Sequence, residues 1–332
     1  MNYNLSFITE QLILIMRHNF LKVVQIFLII SAFYGSVRLF YYFTDGFVIS
    51  NIHSSFFSEE NRETHRLSAV EQNQIKSILA QKFTYLGKGC QSYVFSSEDN
   101  KFVVKFLKYP RLHPKPWILW MKKWGIGQKF AEKNIEKKNL KTKMLFDSWK
   151  LAFDHLQEET GVIYAHLQKS HDLNTKLTIQ DKLGLTHVVN LDEVEFILQK
   201  KAEPFCQTLE KLMVNQEEAK AKELIDRLFT MIISEYKRGF ADNDHALMQN
   251  TGIIDFKPLH IDVGQFVFNE QLKSEEIYKY ELFNKMFRLQ EWLKEHYVSL
   301  YTHLHQKIYA IVGEEMYSLQ PKLHNHAWSE KY

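Results

Sequence analysis

Residues 83–107 read FTYLGKGCQSYVFSSEDNKFVVKFL. The pieces FTYLG (83–87), QSYVFSS (91–97) and KFVVKFL (101–107) are short and rich in β-branched and aromatic residues. EDN at 98–100 separates the last two. That pattern predicts two or three antiparallel strands joined by a hairpin turn. Between the first two strands lies Gly87-Lys88-Gly89. Glycine there lets backbone N–H groups approach a phosphate with no Cβ in the way. No helix follows and no GK[ST] is present, which excludes a Rossmann turn and a Walker loop. Taken alone, the two glycines fit an ordinary tight turn equally well. Lys105 stands between apolar residues inside the third strand. Lysine is rarely buried unless paired. From this strand it either reaches the phosphates of a nucleotide or points to solvent while Val104 and Phe106 face inward.

N-terminal to these strands, Ser68 with Glu71 three residues later resembles a capping box and opens a helix over 68–81, with Val70, Ile75, Ile78 and Leu79 as its apolar positions. Residues 115–158 look helical and basic. GVIYAHL (161–167) and VEFILQK (194–200) read as strands, and 177–190 fits either element. Over 217–238, Leu224, Ile225, Leu228, Phe229, Ile232, Ile233 and Tyr236 recur at helical spacing, and Gly239 ends the helix. A loop with short strands spans 240–268, and helix returns over 274–312. A small antiparallel sheet followed mostly by helices predicts an α+β, two-lobed layout.

A second cluster of polar residues lies in that loop. DNDHALMQN (242–250) is followed by LHIDVGQF (259–266). Asp262 ends a short apolar strand and is followed two residues later by Gly264, which suits Mg²⁺, an ion that takes one or two carboxylates plus substrate phosphates. Asp244 is placed to orient or deprotonate an acceptor hydroxyl, and Asn250 or Gln249 to offer a neutral oxygen to the metal. The same residues also fit an Asx-rich turn.

Together these stretches resemble the protein-kinase-like superfamily, including its aminoglycoside-phosphotransferase and atypical branches. GKGCQSYVF is similar to the Gly-rich loop, VVKF to the strand-three lysine motif, DNDHALMQN to a divergent catalytic loop and IDVG to the metal-binding DFG motif. The resemblance covers about residues 80–310 and implies ATP and Mg²⁺ as cofactors. It implies Gly87, Gly89, Ser92, Val94, Lys105, Gln199 and Ala202 around the nucleotide, with Gln199–Ala202 near the adenine. It implies Asn250 and Asp262 on the metal, and Lys105 and Asp244 as catalytic residues. It also implies a glutamate on the helix after Lys105, for which Glu132, Glu136 and Asp147 are the candidates. The departures are that Ser92 stands in place of the third glycine, no lysine lies two residues after Asp244, Gln249 falls at the family spacing that Asn250 overshoots by one, and no APE-like segment follows Asp262. Two functions follow as expectations: an atypical phosphotransferase acting on a hydroxyl of a protein or small molecule, or a pseudokinase acting as an interaction module.

Composition bounds the rest. The chain has 332 residues, 45% hydrophobic and 24% charged, which is enough for a real core. A net charge of +3 argues against nucleic acid as a partner. Two cysteines make no disulfide framework, and the histidines show no metal-ligand spacing. Near the N-terminus, Val23–Val37 carries no charge, and after Arg38 the run continues through LFYYF to Phe43. It predicts a single-pass anchor, a cleaved signal, or a buried or surface-lying helix. The anchor reading makes 1–50 an N-terminal segment, 51–67 a linker, 68–202 the sheet lobe and 203–332 the helical lobe, with the side of the membrane open. ATP is cytosolic, so an active kinase domain is expected to face a cytosol.

Overall fold

The computed structural model describes residues 3–53, 62, 64 and 67–321, with side chains from Met16 onward. The linker expected over 51–67 and the tail from 322 therefore lie largely outside the described residues. The chain opens with α1 (Tyr3–Thr44). Its Met16–Thr44 portion, 29 residues, is long and apolar enough to cross a membrane by length and composition, and none of its most apolar window is buried against the rest of the chain. At 1.5 Å per residue it extends about 43 Å, against a hydrocarbon core of about 30 Å.

Directly after α1 the chain is built into the folded part. Asp45 pairs with Lys88 at 2.8 Å and Lys182 at 3.1 Å. Tyr93 donates its hydroxyl to the Gly46 carbonyl at 2.6 Å. Phe47 and Ile52 are buried. Then follow α2 (Ala69–Leu79), β1 (Phe83–Lys88), β2 (Ser92–Ser97), β3 (Phe102–Leu107), α3 (Tyr109–Leu112), α4 (Pro116–Lys123), α5 (Gln128–His155), α6 (Gln157–Thr160), β4 (Val162–His166), β5 (Lys176–Gln180), β6 (Thr186–Asn190) and β7 (Phe196–Lys200). The capping box that the sequence predicts for α2 is formed: the Ser68 hydroxyl accepts from Glu71 N at 3.3 Å, and the Glu71 carboxylate accepts from Ser68 N at 2.7 Å.

The expectation of a small antiparallel sheet needs correction. The seven strands β1 to β7 form one sheet in the order β4-β7-β3-β2-β1-β5-β6. β1 and β5 run parallel, with Phe83 opposite Ile179 and Thr84 opposite Gln180. The extra hairpin comes from the stretch whose sequence fits either element. Its turn lacks a strong dipeptide signal because Asp181 supplies the cap instead, accepting from Leu183 N and Leu185 N at 2.9 Å each, while Gly184 takes φ +86°.

Each sheet face has its own core. Phe83, Phe95, Val104, Phe106, Phe196 and Leu198 pack against Ile75, Ile78 and Leu79 of α2 and against Phe47 and Ile52. On the other face, Leu107, Ala165 and Ile197 meet Leu145, Phe146, Trp149, Ala152 and Phe153 of α5. Alternation along β3 produces this split: neighbouring side chains point to opposite faces.

The remainder is helical: β8 (Glu203–Pro204), α7 (Phe205–Val214), α8 (Glu218–Lys237), β9 (Phe240–Asp242), α9 (Leu247–Asn250), β10 (Thr251–Ile254), β11 (Lys257–His260), β12 (Phe266–Phe268), α10 (Glu275–His296) and α11 (Val298–Val312). The α8 stripe Leu224, Ile225, Leu228, Phe229, Ile232 and Tyr236 is buried against α7, α10 and α11. α8 stops at Gly239, whose φ is +88° and where a Cβ would stand 2.9 Å from the Phe268 ring. Both facts require glycine. The observed architecture is thus mixed α+β: an apolar N-terminal helix, a curled sheet and a helical region. The chain passes from sheet to helices at 201–204, where β8 pairs with β10.

Candidate functional site

β3 lies inside the sheet, and the register sets Lys105 opposite Val94 on one side and Ile197 on the other. Opposed residues share a face. Val94, Lys105 and Ile197 therefore point toward α5 and the loop after β11. From there Lys105 Nζ donates to the carbonyl oxygen of Ile261, the residue before Asp262. Burial pushes the Lys105 pKa down, and the Asp262 carboxylate pulls it back up. Burial pushes the Asp262 carboxyl up, Lys105 lowers it, and Asp242 and Asp244 add to the rise. Lys105 is only half-buried and Asp262 is exposed. Protein crowds both groups, yet both touch water.

The glycine-rich turn reaches the Asp262 loop through Gln91. Gly89 N donates to the Ser92 carbonyl at 2.9 Å and Lys108 N to the Gln91 carbonyl at 2.8 Å, while Lys108 Nζ donates to the Gly89 carbonyl at 2.6 Å. Gln91 then reaches down to the IDVG loop: a Cβ on Gly264 would stand 2.7 Å from Gln91 Oε1 and 3.4 Å from Asp262 Oδ1. A Cβ at Gly264 would push the Gln91 amide aside and press on Leu145 at 3.2 Å. Gly87 and Gly89 are different. Neither has a positive φ, a Cβ on Gly87 would meet nothing within 4 Å, and one on Gly89 would make only ordinary contact. Folding does not demand glycine at either position.

The β10–β11 hairpin brings the second candidate metal ligand in. Thr251 lies opposite His260, and Ile261 N donates to the Asn250 carbonyl at 2.7 Å. Asn250 therefore sits one residue from Asp262. It is buried, and its Nδ2 has no partner among the described residues, which is unusual for a buried amide. Gln249 is exposed, so of the two candidates Asn250 is the one turned inward. Asp244 is half-buried, with Oδ1 accepting from Ala246 N at 2.9 Å and Oδ2 from the Gln265 amide at 3.2 Å. Ala202 stands close against Gly252, where a Cβ would lie 2.5 Å from Ala202 Cβ and 2.7 Å from Ile261 Cγ2. Ser92 and Val94 are half-buried on the same sheet face as Lys105.

Gln199 departs from its expected place near an adenine. Its side chain is 1% exposed and donates to the Thr160 carbonyl at 2.5 Å and the His260 carbonyl at 3.0 Å. It ties the sheet to β11 and offers a ligand no surface. The acidic partner expected from α5 also does not arrive. Glu132, Glu136 and Asp147 are exposed; Glu132 accepts from Gln128 at 3.0 Å and Asp147 from Lys143 at 3.0 Å. The α5 face turned to the site offers Ser148 instead, which donates to the Val263 carbonyl and accepts from Phe266 N, both at 2.6 Å.

Near Asp262 lies a group that sequence reasoning missed. Lys285 of α10 donates to Asp242 Oδ2 at 2.6 Å and to the Asp244 carbonyl at 2.5 Å. His260 Nε2 meets Glu235 at 2.9 Å. All four side chains are buried, at 1–3% exposure. The available signal was Lys285 falling on the apolar stripe of α10 with Leu282, Met286, Leu289 and Leu293. A separate pocket of about 470 Å³ opens between α2 and β4, lined by residues such as Ile75, Tyr164 and His166, and includes none of the residues above. Among the described residues no three His, Cys, Asp or Glu side chains converge to hold a metal by themselves. A Mg²⁺ held partly by nucleotide phosphates needs fewer protein ligands. No protein-family model and no curated protein matches the chain.

Proposed function

We propose that the chain is a membrane-anchored, protein-kinase-like phosphotransferase that moves the γ-phosphate of ATP to a hydroxyl on a protein or small molecule. The observation that carries this reading is the approach of Lys105 to the loop that holds Asp262, 157 residues away in sequence (262 − 105), beside a turn whose two glycines the fold itself does not need. Free space at Gly87 leaves room for phosphate oxygens beside backbone N–H groups. In this reading Lys105 grips the phosphates, and Asp262 with the Asn250 side-chain oxygen holds Mg²⁺, which neutralises phosphate charge when bound. Val94 and Ala202 line the nucleotide. The acceptor oxygen bonds to the γ-phosphorus as the bond to ADP breaks, and Asp244, held by Ala246 N and Gln265, aligns the hydroxyl and takes its proton.

The membrane part of the reading rests on α1. Its end is tied to the sheet through Asp45, Gly46 and Phe47, which favours a retained anchor over a removable leader. Because ATP is cytosolic, the sheet and helices then face the cytosol.

A second reading, a pseudokinase that binds without turning over, is favoured by the lack of an α5 carboxylate at Lys105. Turnover separates the two. Incubation of the purified chain with Mg²⁺ and γ-labelled ATP is expected to give label transfer or ADP release, lost in Asp244→Asn. Nucleotide binding without any turnover contradicts the enzyme and leaves the module.

A further inference from the structure

α4 turns its aromatic side outward. Trp117, Trp120 and Trp124 recur at helical spacing along one stripe and are 50%, 55% and 64% exposed. Only Ile118 of α4 is buried. The patch continues past the helix. Phe130, 51% exposed, stacks on Trp117 with ring centroids 6.1 Å apart. Between Trp124 and Phe130 in sequence, Ile126 is exposed in a turn whose flanking Gly125 and Gly127 take φ +69° and +56°. Contiguous exposed apolar surface of this kind marks an interaction site.

Its charge says what the surface meets. From Lys101 to Ala131 the sequence contains no Asp or Glu, and Lys115, Lys122, Lys123 and Lys129, all exposed, flank the aromatic residues in sequence. Tryptophan over a lysine rim suits the headgroup level of an anionic bilayer, where the ring sits at the apolar boundary and the ammonium at lipid phosphate. The same chain carries α1, and a short path through the fold links the two. The turn Ile49–Ile52 after α1 packs on α3, and α3 ends at Leu112, just before α4 starts at Pro116.

We propose that the Trp117–Phe130 patch is a second membrane contact, seated in the anionic leaflet from which α1 emerges. It rests on the reading of α1 as an anchor. With two attachment points the sheet cannot swing freely about Asp45, so the candidate site faces the bilayer at a fixed angle.

The test uses the full chain in nanodiscs of brominated phosphatidylcholine, alone or mixed with brominated phosphatidylglycerol, and reads tryptophan quenching. The expected result is strong quenching in the anionic discs. It falls roughly twofold or more in the triple variant Trp117→Phe, Trp120→Phe, Trp124→Phe, and in Lys122→Glu with Lys123→Glu, with melting temperature retained. Three results overturn the contact while the anchor stands: no quenching in discs that have taken up the chain, quenching indifferent to the lysine pair, or chains crosslinked in pairs through the patch. A chain that does not enter discs overturns the anchor reading itself, and the second contact falls with it.

Discussion

The molecule holds two lysine–aspartate pairs near each other, and they are built in opposite ways. Lys285 and Asp242 are 2.6 Å apart, both almost fully buried, and the ammonium also donates to the main-chain carbonyls of Asp242 and Asp244. Lys105 and Asp262 face the same loop region but touch solvent, and the Lys105 ammonium binds the Ile261 carbonyl rather than a carboxylate. The first pair is closed on itself, with its hydrogen-bonding capacity spent inside the protein. The second is open, with acceptor capacity to spare. A buried charge whose partners are complete serves the fold, whereas a crowded charge with lone pairs facing solvent is available to a ligand.

Breaking each pair should separate the two roles. Lys285→Met leaves Asp242 as an uncompensated buried charge and is expected to cost about 3–5 kcal/mol of stability. Lys105→Met removes an ammonium that burial already disfavours and is expected to change stability by only about 1 kcal/mol or less. Chemical denaturation of the two variants side by side checks the contrast; equal losses would erase it.

A smaller effect sharpens the open side. Gly87→Ala puts a Cβ into free space. Melting temperature is expected to stay within about 2 °C of the parent, while Mg²⁺-ATP affinity falls severalfold. A large stability loss would mean that the glycine serves the fold after all.

The smallest expected effect concerns pH. Lys108 sits under the glycine-rich turn, donating to the Gly89 carbonyl, and burial pushes its pKa down to about 8. Between that value and the ordinary lysine range the unfolded chain binds more protons than the folded one, so this group makes stability rise with pH from about 8 to about 10.5. Below pH 8 both states are charged and the full penalty persists. Lys108→Met is expected to flatten that rise in a pH series of melting curves; a slope unchanged in the variant would remove Lys108 as its source.

Much of this was legible in the sequence, for physical reasons. The hairpin, the α2 cap and the α8 stripe are local patterns whose satisfaction needs only neighbouring residues. Lys105 and Asp262 stood out because each breaks the apolar run of a short strand. Most of what stayed hidden depends on partners far away in sequence, with one local exception. The β5–β6 hairpin is capped by Asp181 rather than by a turn dipeptide. Gln199 reads as a strand end near a hinge, and only the fold aims it at Thr160 and His260. Lys285 needed Asp242 to explain it, and no local rule joins them. The missing α5 carboxylate is a question of helix phase, which a basic helix without a clean stripe leaves undecided.

The most direct test of the central claim is equilibrium binding of a fluorescent ATP analogue to the full chain, with Mg²⁺ and with EDTA. The account predicts Mg²⁺-dependent binding that weakens about tenfold or more in both Lys105→Ala and Asp262→Ala, about 1.4 kcal/mol or more each, while an exposed control such as Glu136→Ala is unchanged. Absence of binding in the parent chain, or binding that survives both substitutions, would contradict it.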